Sequence, residues 1–90
     1  MKTIKATITG SVQVVFFRGY IKEQADKLGL KGYVRNLENG DVEVIIEGRD
    51  ELTNEMLLIC KKGAPHSQIK TVTSQEIPNQ SFKDFRIINV

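Results

Sequence analysis

The chain has 90 residues, of which 40% are apolar and 27% are charged, a composition typical of one folded domain that argues against a disordered chain. Its net charge of +2 permits an anionic ligand but gives no reason to expect a nucleic-acid surface, where basic residues cluster. No apolar run approaches the roughly 18 residues needed to cross a bilayer. The first residues alternate between polar and apolar, whereas a signal peptide would have a continuous apolar segment. We therefore expect one cytoplasmic domain over residues 1–90, monomeric, with no membrane or nucleic-acid partner.

Cysteine usage restricts the chemistry further. The chain has one cysteine, Cys60, which excludes an intramolecular disulfide and a paired-cysteine metal site. Because no disulfide stabilises the chain, a reducing compartment is expected. Cys60 itself falls on the apolar face of a predicted helix, where we expect a small buried side chain.

The first two predicted elements are a strand and a helix. Apolar and polar residues alternate over residues 3–9, which predicts a half-buried strand that Gly10 ends. The stretch 11–17 has no clear period. From Arg18 the pattern becomes helical, and Gly29 occupies the place of a left-handed C-terminal cap. The apolar face of this helix consists of Phe17, Ile21, Ala25 and Leu28.

A hairpin comes next. Residues 32–38 and 41–48 are predicted strands, the second with apolar residues alternating with charged ones. Asn39 and Gly40, between them, are the preferred pair of a type I′ turn. This is the clearest local signal in the chain.

A second helix and two more strands complete the chain. Asp50 is predicted to cap the helix, and Gly63 and Pro65 to end it. Strands are predicted over 69–77 and 82–90. The apolar face of the second helix consists of Leu52, Met56, Ile59 and Cys60.

The order β-α-β-β-α-β, with a short C-terminal strand, predicts an α+β fold of the ferredoxin-like, split βαβ type. In this fold an antiparallel sheet carries two helices on one face. Right-handed crossovers place strands 1 and 2 parallel, with strand 3 between them. The loop after strand 1 and the end of strand 2 therefore meet at the same edge of the sheet.

Two features of the sequence meet at this edge. The loop 10–17 turns from a strand into a helix, so its backbone N–H groups and the positive helix terminus can converge on an anion. The planar guanidinium of Arg18 can donate hydrogen bonds to two phosphate oxygens at once. Asn36 lies on the same strand face as Val34 and can present its amide to a water. The residues alone leave a second interpretation open, in which the loop is a plain connection and Asn36 serves the neighbouring turn.

Two blocks of the sequence resemble the acylphosphatase family. Residues 10–18, Gly-Ser-Val-Gln-Val-Val-Phe-Phe-Arg, are similar to its signature G-x-V-Q-G-V-x-F-R. Residues 29–43, Gly-Leu-Lys-Gly-Tyr-Val-Arg-Asn-Leu-Glu-Asn-Gly-Asp-Val-Glu, are similar to G-L-x-G-W/Y-V-x-N-x-x-D/N-G-x-V-E. Gly48 and the stretch 63–67 also fit, so the resemblance covers nearly the whole chain and implies the ferredoxin-like fold.

The resemblance also implies roles for the matching positions. Arg18 and the loop amides would bind the phosphate of an acyl phosphate, such as an acetyl, carbamoyl or bisphosphoglycerate-type substrate. Asn36 would hold the attacking water in line with phosphorus, and the substrate would assist proton transfer. Inorganic phosphate would be released, and no metal or cofactor is implied. The implied phosphate-binding loop consists of Ser11, Val12, Gln13, Val14, Val15 and Phe16.

Position 14 departs from the family pattern, which has glycine where this chain has Val14. Glycine there serves either a positive φ or close approach of an amide to phosphate, and a β-branched residue strains a positive-φ backbone by roughly 1–3 kcal/mol. Either the loop accommodates Val14 and the enzyme is active, or the domain is a catalytically impaired anion binder. We favour activity because Arg18 and Asn36 match the pattern. The Phe16 ring is expected to pack beside the loop and not to touch substrate.

Other polar and aromatic residues are interpreted as structural. His66, the single histidine, is expected at the surface and not in catalysis. Tyr33 is expected to pack against the sheet. Surface pairing or solubility is the expected role of Arg35, Arg49 and Arg86.

The same order of elements occurs in other classes of protein. RNA-recognition modules share it, but the aromatic series that should follow Tyr33 is missing. Metal-carrier domains of this topology need paired cysteines in the first loop. Small-ligand regulatory domains of this fold lack a diagnostic motif, so the fold alone does not exclude that class of protein. Acylphosphatase-like domains also begin larger hydrogenase-maturation proteins, but we expect the free-standing form here.

Overall fold

A computed structural model gives the fold and describes residues 1–11, 14–65 and 67–88, without the side chains of residues 11, 14 and 15. The elements follow the predicted order. They are β1 (Lys2–Ser11), α1 (Val14–Lys27), β2 (Lys31–Asn36), β3 (Val42–Gly48), α2 (Asp50–Lys62), β4 (Gln68–Ile77) and β5 (Phe85–Ile88). Over the described ranges, neither helix has the length and apolar character needed to span a membrane.

The five strands form one sheet in the order β4-β1-β3-β2-β5. β1 pairs antiparallel with β3 and β4, and β3 pairs antiparallel with β2. β1 and β2 are therefore parallel with β3 between them, as predicted. The predicted antiparallel sheet is extended by one parallel pairing, that of the short C-terminal strand β5 with β2. The ferredoxin-like α+β fold is confirmed, with a mixed sheet.

One face of the sheet carries the apolar core, and both helices pack on it. Register partners lie on the same face of a sheet, and the partners Ile8 and Val42 are both fully buried there. Cys60 of α2 is buried in the same core as expected, and this burial raises the pKa of its thiol to about 12. Buried core residues from the helices are Phe17, Ile21, Ala25, Met56 and Cys60, and those from the strands include Ile4, Ile8, Val34, Val42, Val44 and Ile46.

Helix α1 begins at Val14, four residues before the predicted start at Arg18. The sequence period failed there because residues 14–17 are all apolar and therefore carry no amphipathic pattern. The end of the helix was predicted correctly. Gly29 has a φ of +68°, which is the left-handed conformation that terminates helices.

The hairpin between β2 and β3 does not contain the predicted type I′ turn. The Gly40 N–H donates to the Leu37 carbonyl (3.0 Å), and the Leu37 N–H donates to the Asp41 carbonyl (2.8 Å). A type I′ turn needs positive φ at both central residues. In this loop, which the structure describes throughout, positive φ falls on Gly40 (+93°) and not on Asn39. Asn39 instead accepts a hydrogen bond from the Asp41 N–H through its side chain, and both strands are shorter than predicted.

Helix α2 starts differently from the prediction. Its N-cap position is Arg49, and no side chain caps it. Asp50 is the first helical residue, so its carboxylate lies beside the positive end of the helix without capping it. Gly63 follows the last turn, as predicted. Strand β5 begins three residues later than predicted, and the last two residues of the chain lie outside the described ranges.

The opposite face of the sheet holds two buried carboxylates, of which Glu43 is the first. It accepts hydrogen bonds from Tyr33 Oη (2.7 Å) and Arg35 Nη2 (3.1 Å). Burial alone raises the pKa of Glu43, but these hydrogen bonds and the charge of Arg35 outweigh it, so the pKa lies below its ordinary value. Tyr33 packs against the sheet as expected, with Phe82 edge-on to its ring. Arg35 pairs with a buried carboxylate, contrary to the expectation of a surface pair.

Glu47 is the second buried carboxylate. Its Oε2 accepts hydrogen bonds from Thr3 Oγ1 and the Gln80 N–H, both at 2.6 Å, and its Oε1 accepts one from the Phe82 N–H at 2.8 Å. Burial raises the pKa of Glu47, but the hydrogen bonds outweigh it and lower the pKa below its ordinary value. Glu47 thus ties the segment between β4 and β5 to the centre of the sheet.

Candidate active site

The sheet brings the end of β1 and the end of β2 to one edge. Val42 of β3 pairs with Ile8 on one side and with Asn36 on the other. Two inter-strand spacings place the backbone of Asn36 about 10 Å from that of Ile8. Three residues after Ile8, β1 ends at Ser11, and α1 begins shortly beyond it. The N-terminus of α1 and the last residue of β2 therefore share this edge.

Gly10 fixes how the chain leaves the sheet. The pairing of β1 with β4 shifts register between Thr9 and Gly10, where β4 has one extra residue, Lys70, and this forms a β-bulge in β4. The strand continues through Gly10 to Ser11, so the predicted end at Gly10 is wrong. A Cβ added to Gly10 would lie 2.1 Å from the Gln68 carbonyl oxygen. Only glycine allows this close approach of β1 to β4 next to the loop.

The first turn of α1 provides hydrogen-bond donors at this edge. The first N–H groups of an α-helix have no acceptor within the helix, and in α1 they include those of residues 14–16. No acidic residue lies in this turn, so no carboxylate of the turn itself neutralises the positive helix terminus. A phosphate is the kind of ligand that such a terminus attracts.

The predicted loop is described only in part. Val12 and Gln13 lie outside the described residues, and the side chains of Ser11, Val14 and Val15 are not described. Of the six implied loop residues, Val14, Val15 and Phe16 belong to the first turn of α1. Phe16 is 75% exposed, so the expectation that its ring packs beside the loop is wrong.

Arg18 is the fifth residue of α1 and not its first. It follows Phe17, which is anchored in the core with only 1% of its surface exposed, and it is itself half-buried. A position one turn into the helix leaves the guanidinium within reach of the helix terminus, since Cα–Cβ bonds in a helix tilt towards the N-terminus. Arg18, near the start of α1, and Asn36, the last residue of β2, therefore belong to elements that meet at this edge.

Asn36 carries the unusual feature of this edge. Its register partner Val42 is a core residue, so Asn36 projects on the helix-covered face. The Asn36 Oδ1 atom is buried and, within the part of the chain that the structure describes, has no hydrogen-bond partner. Buried acceptors are rarely left unpaired, and one at a functional site is usually paired with a ligand or a water.

Two of the residues interpreted as structural lie where expected. Arg49 pairs with Glu51 and Arg86 with Asp84, both at the surface. The prediction for His66 lies outside the described residues. The sequence analysis missed the paired Glu43, because hydrogen bonds across strands depend on a register that the sequence does not give.

The fold defines a class: a ferredoxin-like α+β domain whose first strand passes into its first helix at the edge where β2 ends. Comparisons with known proteins specify the family.

The Acylphosphatase family model matches residues 4–87. An acylphosphatase of Dehalococcoides mccartyi is 43% identical over 89 residues, covering 97% of this chain and 98% of that protein. The crystal structure of acylphosphatase from Bacillus subtilis superposes with a TM-score of 0.94 at 29% identity, covering 99% of this chain and 100% of that chain. The structure of an acylphosphatase from Coxiella burnetii superposes with a TM-score of 0.91 at 33% identity, covering 97% of this chain and 92% of that chain.

The chain belongs to the acylphosphatase family, whose known activity is the hydrolysis of acyl phosphates. The predicted family, fold and enzyme class are confirmed. The roles of individual residues remain predictions.

Proposed function

We propose that this protein hydrolyses the carboxyl–phosphate bond of small acyl phosphates at the edge formed by the N-terminus of α1 and the end of β2. Arg18 and the main-chain N–H groups of residues 11–16 bind the phosphate, and Asn36 positions the attacking water. The observation that supports this best is the buried Oδ1 of Asn36, which has no hydrogen-bond partner among the described residues and lies at the edge where α1 begins.

The chemistry asks little of the protein beyond positioning and charge stabilisation. The water oxygen attacks phosphorus, the P–O bond to the acyl group breaks, and the carboxylate leaves with the bonding electrons. Asn36 Oδ1 accepts a hydrogen bond from the water and so directs its lone pair at phosphorus. The guanidinium of Arg18 and the N–H groups stabilise the charge on the equatorial oxygens. The water proton passes to the substrate, which releases inorganic phosphate and a carboxylate.

The alternative of a catalytically impaired anion-binding domain rests on Val14 alone. It is not favoured, because the relative at 43% identity carries the name of the enzyme over nearly the whole chain. Arg18 and Asn36, the two side chains that the mechanism needs, are also both present.

The remaining expectations belong to the same proposal. Substrate and product are a small acyl phosphate and inorganic phosphate, and neither nucleic acid nor membrane takes part. The protein acts as one cytoplasmic, monomeric domain without a metal or cofactor.

Hydrolysis of benzoyl phosphate without added metal tests the proposal. Arg18→Gln and Asn36→Ala should each lower kcat/KM by about 100-fold or more. Two exposed residues provide matched controls: Arg49→Gln, at a surface ion pair, and Asn54→Ala, on α2. Both controls should keep wild-type activity. Activity that survives Arg18→Gln or Asn36→Ala would remove this site.

A further inference from the structure

Phe16 exposes a large apolar side chain at the proposed site. It is 75% exposed, whereas the adjacent Phe17 is 1% exposed. In the described part of the chain, the other exposed large apolar residues are Met1, the first residue, and Leu58, on α2. Of these three, Phe16 belongs to the helix turn whose N–H groups are proposed to bind the phosphate.

The geometry of a helix directs the Phe16 side chain towards the N-terminus of α1. Phe16 is the third residue of α1, and side chains in a helix lean towards its N-terminus and cover the preceding turn. The ring therefore extends towards the helix terminus. Arg18 is two residues further on, about 200° around the helix axis, so the ring and the guanidinium flank the core-facing Phe17 on opposite sides.

We propose that Phe16 contacts the acyl group of the substrate and sets a preference for aromatic and apolar acyl phosphates over acetyl phosphate. This inference rests on the proposed function. A phosphate held by the helix terminus and Arg18 directs its acyl group out of the anion site. The exposed ring lies on the side of the terminus away from Arg18. Contact between an apolar acyl group and the ring removes both from water, and an aromatic acyl group adds a ring–ring interaction.

The ratio of kcat/KM for benzoyl phosphate to kcat/KM for acetyl phosphate tests the inference. Phe16→Ala should lower this ratio about three- to tenfold, the range expected for the loss of one aromatic contact. Phe16→Tyr keeps the ring and should keep the ratio. Leu58→Ala is the matched control, because it removes another exposed apolar side chain from a different helix, and it should also keep the ratio. Thermal unfolding of each variant shows that it is folded.

The outcomes separate the two proposals. An unchanged ratio in Phe16→Ala, or an equal fall in kcat/KM for both substrates, overturns the inference and leaves the proposed function standing. Wild-type protein that hydrolyses neither substrate overturns both. The role of the ring is supported if the benzoyl-to-acetyl phosphate ratio of kcat/KM falls in Phe16→Ala and stays at the wild-type value in Phe16→Tyr and Leu58→Ala.

Discussion

Asn36 lies directly across β3 from Ile8, because both residues pair with Val42. This relationship brings the end of β2 to the sheet edge at which β1 ends. A slip of one residue in the β2–β3 register would move the Asn36 side chain to the opposite face of the sheet. The position of the proposed water-binding amide therefore depends on the pairing of the hairpin.

Val14→Gly should raise kcat/KM on benzoyl phosphate, by up to about tenfold, since glycine lets the N–H groups of this turn approach phosphate without a β-branched side chain in the way. Steady-state kinetics on the two proteins measure the effect. An unchanged or lower value would show that Val14 is harmless.

Gly10→Ala should destabilise the protein by about 2 kcal/mol or more, because its Cβ would lie 2.1 Å from the Gln68 carbonyl oxygen. Gly19→Ala is the matched control on α1, where an added Cβ has nothing within 4 Å. That change should stabilise the protein by up to about 1 kcal/mol, since alanine is the better helix former. Urea unfolding measures both values. Equal stability of the two variants would contradict the close packing at the bulge.

The sequence predicts the fold well because its periodic segments are strong. The alternation around Val42 and Val44 and the helical spacing of Ile21 and Ala25 fix the elements, and the topology rules then leave one edge for the site. Local details were predicted incorrectly where the sequence has no hydrophobic period, or where tertiary contacts determine the local conformation. The uniformly apolar start of α1 hid four helical residues, and the turn around Asn39 depends on a hydrogen bond pattern that a dipeptide preference does not determine.

The candidate site was inferred in a different way. Spacing alone suggested an anion loop but left a plain connection as an alternative, and the two sequence blocks carried the assignment of Arg18 and Asn36. Two features are visible only in three dimensions: the exposed ring of Phe16, and the buried Oδ1 of Asn36, which has no hydrogen-bond partner in the described part of the chain.

Stability should fall below about pH 4, because the hydrogen bonds to Glu47 lower its pKa in the folded protein relative to the unfolded chain. Stability from a lowered carboxyl pKa is fully present above the unfolded pKa and is lost as the pH falls through the folded pKa. Glu47→Gln should lower the urea midpoint at pH 7 and reduce its fall between about pH 5 and pH 2.5. Glu55→Gln, an exposed position on α2, controls for the loss of one carboxylate. A midpoint that falls as steeply in Glu47→Gln as in the wild type would contradict this role.

The Cys60 thiol should be unreactive in the folded protein, since burial raises its pKa to about 12 and the thiolate is the nucleophilic form. Labelling with a disulfide reagent at pH 8 should be slow without denaturant and should reach one thiol per chain in urea. Rapid labelling of the folded protein would contradict this prediction, because it would show that the Cys60 thiol on the apolar face of α2 is accessible to the reagent.

The most direct test of the anion site is a titration of the isotope-labelled protein with inorganic phosphate, followed by NMR. We predict that the largest shifts fall on the backbone amides of residues 11–16, on Arg18 Nε and on the Asn36 side-chain amide, and that all of them fit one dissociation constant. Shifts that are absent from these groups, or that fall on another surface, would contradict the account.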